Sequence, residues 1–466
     1  MNTIKIISIL ILLFVFGSLH AQESEPMQLS LAQACEYAKQ NNTNVQNAQI
    51  DVEIARKKVW ETTAIGLPQI NGSVEYQNFL DIPTTLLPDF ISPSVYGVLL
   101  QEGLITPAQM PSSESQQFFP AKFGTQHNAS YGVTLSQLIF SGQYIVGLQA
   151  ARVFSMVSQQ SLQKNEIDVV ASVTETYCLV LSLQENKNSL DSNLASFQKL
   201  LFETEALYKE GFVEEINVDQ LTLNVSSLQN GVNSIARSIE AAKMLLAFQM
   251  GMPVSQKLEL TDDLESIVST IDLEQILSED YDPAQSIDYQ IMETQVRLME
   301  LDMKREKTAY LPTLAGFFSY SEKAMRDEFN FFDGDQDWFP TTLVGFQLEI
   351  PLWSSGSRHS KVQQAKLKVQ KSENTRDMVG ESLKLQYTQA RIEYLNAVDT
   401  YVTEKENMLL SKKILDKTII KYREGITGST ELTQIQMQYQ TAQANYFAAM
   451  FRVISAKTKL NKLLVN

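Results

Sequence analysis

The sequence predicts a mainly α-helical chain with membrane β-strands, built twice on one plan. Three observations predict it. Tyr208-Lys209-Glu210-Gly211 recurs as Tyr422-Arg423-Glu424-Gly425, 214 positions later. Behind each of these turns runs an apolar seam in steps of 3, 4, 3, 4, from Val218 to Leu246 and from Leu432 to Leu460. Such a seam is the mark of a long coiled-coil helix. Finally, two-residue alternation of apolar and polar residues begins directly after Leu67-Pro68 and again after Leu311-Pro312. That period belongs to two-faced strands.

Residues 1–21 read as a secretory signal peptide, with Lys5 as the basic start, Ile6 to Leu19 as the apolar core and Ala21 at the cleavage point. No Cys follows that core, so no lipid anchor is expected. Removing Lys5 takes the net charge from −16 to −17. The rest divides into a first repeat over 22–252, an acidic crossover over 253–283 and a second repeat over 284–466. The repeats register as two blocks. Val45 to Tyr76 aligns with Tyr289 to Tyr320 at an offset of 244, and Gly142 to Met252 aligns with Gly356 to Asn466 at 214. The 30-residue difference between those offsets falls in Asp81 to Gln126, whose six prolines suggest a long surface loop.

Within each repeat the order is helix, strand, loop, strand, long helix, turn, long helix. Pro68 and Pro312 stop the leading helices. In the first strand Ile70, Gly72, Val74 and Tyr76 face one way, against Asn71, Ser73 and Glu75. Ala129, Tyr131, Val133 and Leu135 repeat the pattern, as do Leu314 to Tyr320 and Val344 to Ile350 in the second half. A soluble sheet packed on one side would alternate in the same way. The exported context and the length of the helices favour a membrane-spanning wall instead. Ser141 to Tyr208 lacks Pro, and Ser355 to Tyr422 lacks it too, so each could run roughly 100 Å as one helix. The return legs are predicted at about 60 Å each. Phe140 and Trp353 mark the changeovers from strand to helix, either as part of an interfacial aromatic belt or as staples of the helix start.

Four strands cannot close a barrel, and an open sheet edge in lipid leaves backbone groups unpaired at several kcal/mol each. Several chains would therefore share one barrel, two giving eight strands and three giving twelve.

Other chemistry is poorly represented. The acidic balance argues against nucleic acid as a partner. His127 and His359 sit in no metal-ligand spacing, no phosphate-binding loop is present, and Ser354-Ser355-Gly356-Ser357 lacks the pattern of a nucleophile elbow. No catalytic residue, cofactor or metal is expected. The acids and aromatics of Asp327 to Asp335 read as an exposed loop, with calcium binding as the alternative. Cys35 and Cys178 lie in different predicted helices and read as small buried thiols, with a disulfide left open.

The mature chain resembles the TolC-type outer-membrane efflux proteins. The resemblance rests on Leu29-Ser30-Leu31-Ala32-Gln33-Ala34 leading to Asn41-Asn42-Thr43-Asn44-Val45, the paired Leu-Pro junctions, the Pro351-Leu352-Trp353 turn, the two Tyr-x-x-Gly turns and above all the repeat plan. It implies a homotrimer whose shared twelve-stranded barrel in outer-membrane lipid continues into a periplasmic helical coiled-coil barrel. A periplasmic adaptor and an inner-membrane pump are the implied partners. The two Gly turns, with Gly211 and Phe212 and with Gly425 and Ile426, would be the adaptor-docking tips. Tyr422 matches the family's linking tyrosine, and Glu431 stands at its first acidic ring. Gln434 replaces the second ring, Thr427 replaces the linking basic residue, and Asn217 replaces its acidic partner, with Asp219 nearby but shifted. The latch thus departs from the family pattern. Glu431 reads either as a cation-favouring ring or as a helix-start acid. The implied function is a passive exit duct for small molecules or polypeptides. The rival is a periplasmic coiled-coil scaffold or adaptor without a barrel, against which two hairpins and four amphipathic strands argue.

Overall fold

The computed structural model describes residues 26–89, 91–109, 118–269 and 281–464. The signal peptide and the middle of the crossover lie outside them. The chain divides into two compact units, a helical one (1–57, 151–300 and 365–466) and a β-containing one (58–150 and 301–364).

In the helical unit, strand β1 (Met27–Leu29) leads to helix α1 (Leu31–Asn41) through a capping box. The Ser30 side chain accepts from the Gln33 N–H and the Gln33 side chain accepts from the Ser30 N–H. Asn42 then breaks the helix and starts α2 (Thr43–Ile65), its Oδ1 accepting from the N–H of Asn44 and of Val45. The long helices are α4 (Gly142–Lys209) and α5 (Glu215–Gln249) in the first repeat, and α8 (Ser357–Arg423) and α9 (Ser429–Leu464) in the second. Helix α7 (Ile287–Thr308) opens the second repeat as α2 does the first. The seams read from the sequence are buried or half-buried, with Leu221, Leu228 and Leu246 on α5, and Leu432, Tyr439, Val453 and Leu460 on α9, fully inside. The return helices hold 35 and 36 residues, a little short of the expected length.

The C-terminal end of α5 abuts the α1–α2 junction. Asn42 Nδ2 donates to the Gln249 carbonyl at 2.6 Å. Gly251, at φ +78°, lies so close that a Cβ there would meet the Asn41 carbonyl oxygen at 2.1 Å. The leading helices therefore meet at the end of the return helix α5.

Part of the crossover is ordered around a buried tyrosine. Strand β6 (Leu258–Leu260) pairs in parallel with β1, and α6 (Leu264–Ser269) follows. The Tyr177 hydroxyl reaches the Leu29 carbonyl at 2.9 Å and the Asp262 carboxylate at 3.0 Å, while Asp262 also accepts from the Leu31 N–H at 2.6 Å. Burial, reinforced by the Asp262 carboxylate, pushes the Tyr177 hydroxyl pKa up. Cys178 is fully buried beside this group, its thiol pushed up to about 12 chiefly by burial. Cys35 is half-buried and raised in the same direction, and both cysteines are free thiols.

The β unit holds one four-stranded antiparallel sheet of β2 (Gln69–Asn78), β5 (His127–Phe140), β7 (Thr313–Arg326) and β8 (Phe339–Glu349), in that spatial order. The loop over 81–126, expected as a long surface loop, has secondary structure of its own. It contains a hairpin of β3 (Thr84–Pro88) and β4 (Phe118–Lys122), with helix α3 (Ile91–Gln101) between them. The prolines are compatible with this because Pro88 ends its strand and Pro93 occupies the first helical turn, where no N–H is needed.

Candidate functional site: a two-faced sheet and paired hairpin tips

The register of the sheet sorts side chains into two faces. Ile70, Leu135, Phe318 and Val344 lie side by side across the four strands. The next rows of that face are Gly72, Val133, Tyr320 and Thr342, then Val74, Tyr131, Glu322 and Pro340. The opposite face aligns Asn71, Thr134, Ser319 and Leu343, then Ser73, Gly132, Ser321 and Thr341. The apolar face is uncovered within the chain, with Val74 88% and Phe346 75% exposed. A contiguous apolar face of this kind marks a contact with lipid or protein. A ten-residue strand is about 34 Å long, and tilted by about 40° it rises about 26 Å, which matches the apolar band of an outer-membrane barrel. Glu322, the acid on this face, is not bare. Its carboxylate accepts from the Tyr320 hydroxyl at 2.5 Å and from the Tyr131 hydroxyl.

At the loop end of the strands an aromatic cluster forms. Tyr76 bonds His127 Nδ1 at 2.8 Å, and Phe329 meets the Tyr76 ring edge-on at 5.5 Å. Arg326, only 7% exposed, lies over Phe331 and donates to the Asn330 carbonyl at 2.7 Å. The second loop is thus anchored at its base by aromatics and Arg326. Among the described residues no group of three or more His, Cys, Asp or Glu is placed to hold a metal ion. At the other end, a bulge between Leu138 and Phe140 precedes α4, leaving Phe140 moderately exposed. Trp353 is 85% exposed before α8, so within the chain its indole staples nothing. Arg358 holds that corner instead, donating to the Pro351 carbonyl at 2.8 Å over the Tyr310 ring.

The two hairpin turns are near copies. Gly211 (φ +79°) sends its N–H to the Tyr208 carbonyl at 2.9 Å, and Phe212 sends its own to Leu207 at 2.9 Å. Gly425 (φ +72°) and Ile426 repeat this with Tyr422 and Lys421 at 3.0 and 2.9 Å. These are Schellman caps, which need a left-handed residue at the glycine position. No atom lies within 4 Å of a Cβ built on either glycine, and Phe212 and Ile426 are both strongly exposed.

Polar contacts tie the two hairpins together near these turns. Arg423 pairs with Glu203 at 3.0 Å, and the Tyr422 hydroxyl lies 3.4 Å from Thr204 Oγ1. Asn217 accepts from the Ser429 hydroxyl at 2.7 Å, and Asn224 donates to Thr433 Oγ1 at 2.8 Å. Thr427 does not reach Asn217. Its hydroxyl donates to the Glu431 carboxylate one turn on, while Asp219 is exposed and takes part in none of these bonds. Sequence reasoning singled out Tyr422 and Asn217 but missed Glu203, Thr204, Ser429 and Thr433. The readable signal was the polar stripe Asn217, Gln220, Asn224 at helical spacing.

Two comparisons bear on this arrangement. Residues 284–465 match the family model described as outer membrane efflux protein. No curated protein matches significantly. Among solved structures, CusC superposes with TM-score 0.69 at 13% identity, covering 94% of this chain and 92% of that one. The CmeC outer membrane channel of Campylobacter jejuni gives 0.66 at 15% over 93% and 85%. VceC of Vibrio cholerae gives 0.65 at 12% over 94% and 96%. The fold is therefore that of the outer-membrane channels. The second repeat thus matches the outer membrane efflux protein family, in line with the resemblance to TolC-type proteins. That match and the exposed apolar face of the sheet support an outer-membrane location.

Proposed function

We propose that the chain is the exit duct of a tripartite efflux or type I secretion assembly. It would pass small molecules or polypeptides, delivered by an inner-membrane pump through a periplasmic adaptor, without catalysing any reaction. The observation that carries this reading is the sheet. It has an apolar exposed face, a polar reverse face and two unpaired edges, β2 and β8. In lipid those edges must be paired by further copies, and three copies close twelve strands around a polar lumen. The homotrimer is part of the proposal. The second support is the pair of tips. Each presents an exposed apolar side chain immediately after a rigid glycine cap, which suits a partner's helical hairpin.

The test is an export assay in cells whose own copy is deleted. Restoring the chain restores export. The double substitution Gly211→Phe with Gly425→Phe assembles in the membrane but fails to export, because the tips no longer seat the adaptor. Normal export by that double variant would remove the docking assignment. Unchanged export after deletion, in cells without a second duct, would remove the proposed function itself.

A further inference from the structure

The first loop contains an apolar surface that the duct does not use. Helix α3 spans 11 residues, Ile91 to Gln101, and carries no charged side chain. Its N-terminus is held by Asp89, whose carboxylate accepts from the N–H of Ile91 at 3.1 Å and of Ser92 at 2.8 Å. Glu102 follows its last residue, so the sequence from Asp89 to Glu102 is an uncharged stretch bracketed by acids.

The helix has two sides. Tyr96, Leu99 and Leu100 are half-buried, while Ile91, Val95 and Val98 are 53%, 49% and 58% exposed. The spacing i, i+4, i+7 puts those three on one stripe. Leu80, Leu86, Leu104 and Phe118 of the same loop are also exposed. At about 16 Å the helix is too short to cross a hydrocarbon core of about 30 Å. A helix this apolar that cannot span is suited to lying in a membrane surface.

We propose that α3 lies in the outer leaflet of the outer membrane, with its Ile91–Val95–Val98 stripe against lipid acyl chains. The proposal rests on the reading that the β2–β5–β7–β8 sheet spans that membrane. Continuity supports lipid as the occupant. The loop leaves β2 directly, with the Phe79 N–H bonded to the Gln126 carbonyl at 2.8 Å beyond the last ladder pair. Leu80, two positions beyond the end of β2, is 88% exposed. The side-chain chemistry also selects among occupants. A docking patch for a protein carries a polar rim and hydrogen-bonding groups that fix orientation, whereas this stripe has neither charge nor amide. An adsorbed interfacial helix usually carries a basic face for anionic headgroups. Here the helix has no cation, which favours seating among acyl chains over adsorption onto headgroups.

The experiment uses the full mature chain reconstituted in vesicles of phosphatidylethanolamine and phosphatidylglycerol. Val98→Cys and, separately, Val95→Cys carry a nitroxide whose collisions with oxygen and with a water-soluble nickel chelate are measured. The unsubstituted protein, treated identically, blanks the native thiols, and Val74→Cys on β2 reports the membrane wall. The expected result is that both loop labels shift towards oxygen and away from nickel as the Val74 label does. High nickel access at Val95 and Val98 would place the stripe in water and overturn the proposal. Low access to both reagents would mean the stripe is packed on protein, such as a second copy, and would overturn it too. If the Val74 label itself is open to nickel, the strands are not in lipid and both readings fall. If only the loop labels fail, the duct reading stands without this one.

Discussion

Two glutamines on one face of α9 should respond to the same substitution with opposite signs. Gln436 and Gln443 are seven residues apart and each is 1% exposed. Gln443 is satisfied, accepting from Asn193 Nδ2 at 3.2 Å and donating to Asn186 Oδ1 at 3.3 Å. Gln436, between the buried Leu432 and Tyr439, has no hydrogen-bond partner for either its amide nitrogen or its amide oxygen. A buried polar group left unpaired costs about 1–3 kcal/mol, and an unbranched Met fills nearly the same space. Gln436→Met should therefore stabilise the packing of α9 by about 2 kcal/mol. Gln443→Met should destabilise it by about 1–3 kcal/mol, because Asn186 and Asn193 lose their partner. The assay is hydrogen exchange of α9 amides in the detergent-solubilised protein, which reads local opening. At 1.4 kcal/mol per factor of ten, Gln436→Met should slow exchange around Leu432 to Tyr439 by about 30-fold. Exchange that is unchanged or faster in Gln436→Met would refute the reasoning. So would equal signs for the two variants.

Other consequences follow from the same contacts. Gly251→Ala adds a Cβ against the Asn41 backbone at a positive φ, so it should cost about 3 kcal/mol, against about 1 kcal/mol for Gly425→Ala, where space is open; comparing thermal inactivation of the two variants checks the order. Tyr177→Phe should cost about 1–3 kcal/mol by leaving Asp262 and the Leu29 carbonyl short of a donor, and equal denaturation midpoints for variant and parent would contradict this. With its pKa raised to about 12, Cys178 is thiolate in only about one molecule in ten thousand at pH 8, so a maleimide should label it only after unfolding. Its reactivity should rise with pH up to that value, and rapid labelling of the native protein at pH 8 would show that the burial is misplaced. If Glu431 forms a charged ring, Glu431→Ala should weaken the cation preference measured in planar bilayers. An unchanged preference would leave Glu431 as a local partner of Thr427.

The parts of the fold legible in the sequence were those with a period. The heptad seams fixed α5 and α9, and the alternation after Pro68 and Pro312 fixed the strands and both their faces. The glycine turns could be read because a Schellman cap needs a left-handed residue at one position. What was not legible depended on contacts between distant segments. Nothing local indicates that Asp262 reaches Tyr177, or that Ser429 replaces Thr427 as the partner of Asn217. The prolines of 81–126 mark a surface loop but not the strands and helix inside it, because Pro88 and Pro93 occupy a strand end and a first turn that tolerate them. Trp353 was ambiguous in sequence because a belt residue and a staple have the same composition; its exposure within the chain speaks against the staple alone.

The central claim is that chains share one barrel because a single sheet has two open edges. Mass measurement tests it most directly. The mature protein is extracted from outer membranes in mild detergent and weighed by light scattering corrected for bound detergent. Three copies per particle are expected. A monomer, or a chain recovered without detergent from the soluble periplasm, would contradict it and favour a periplasmic scaffold.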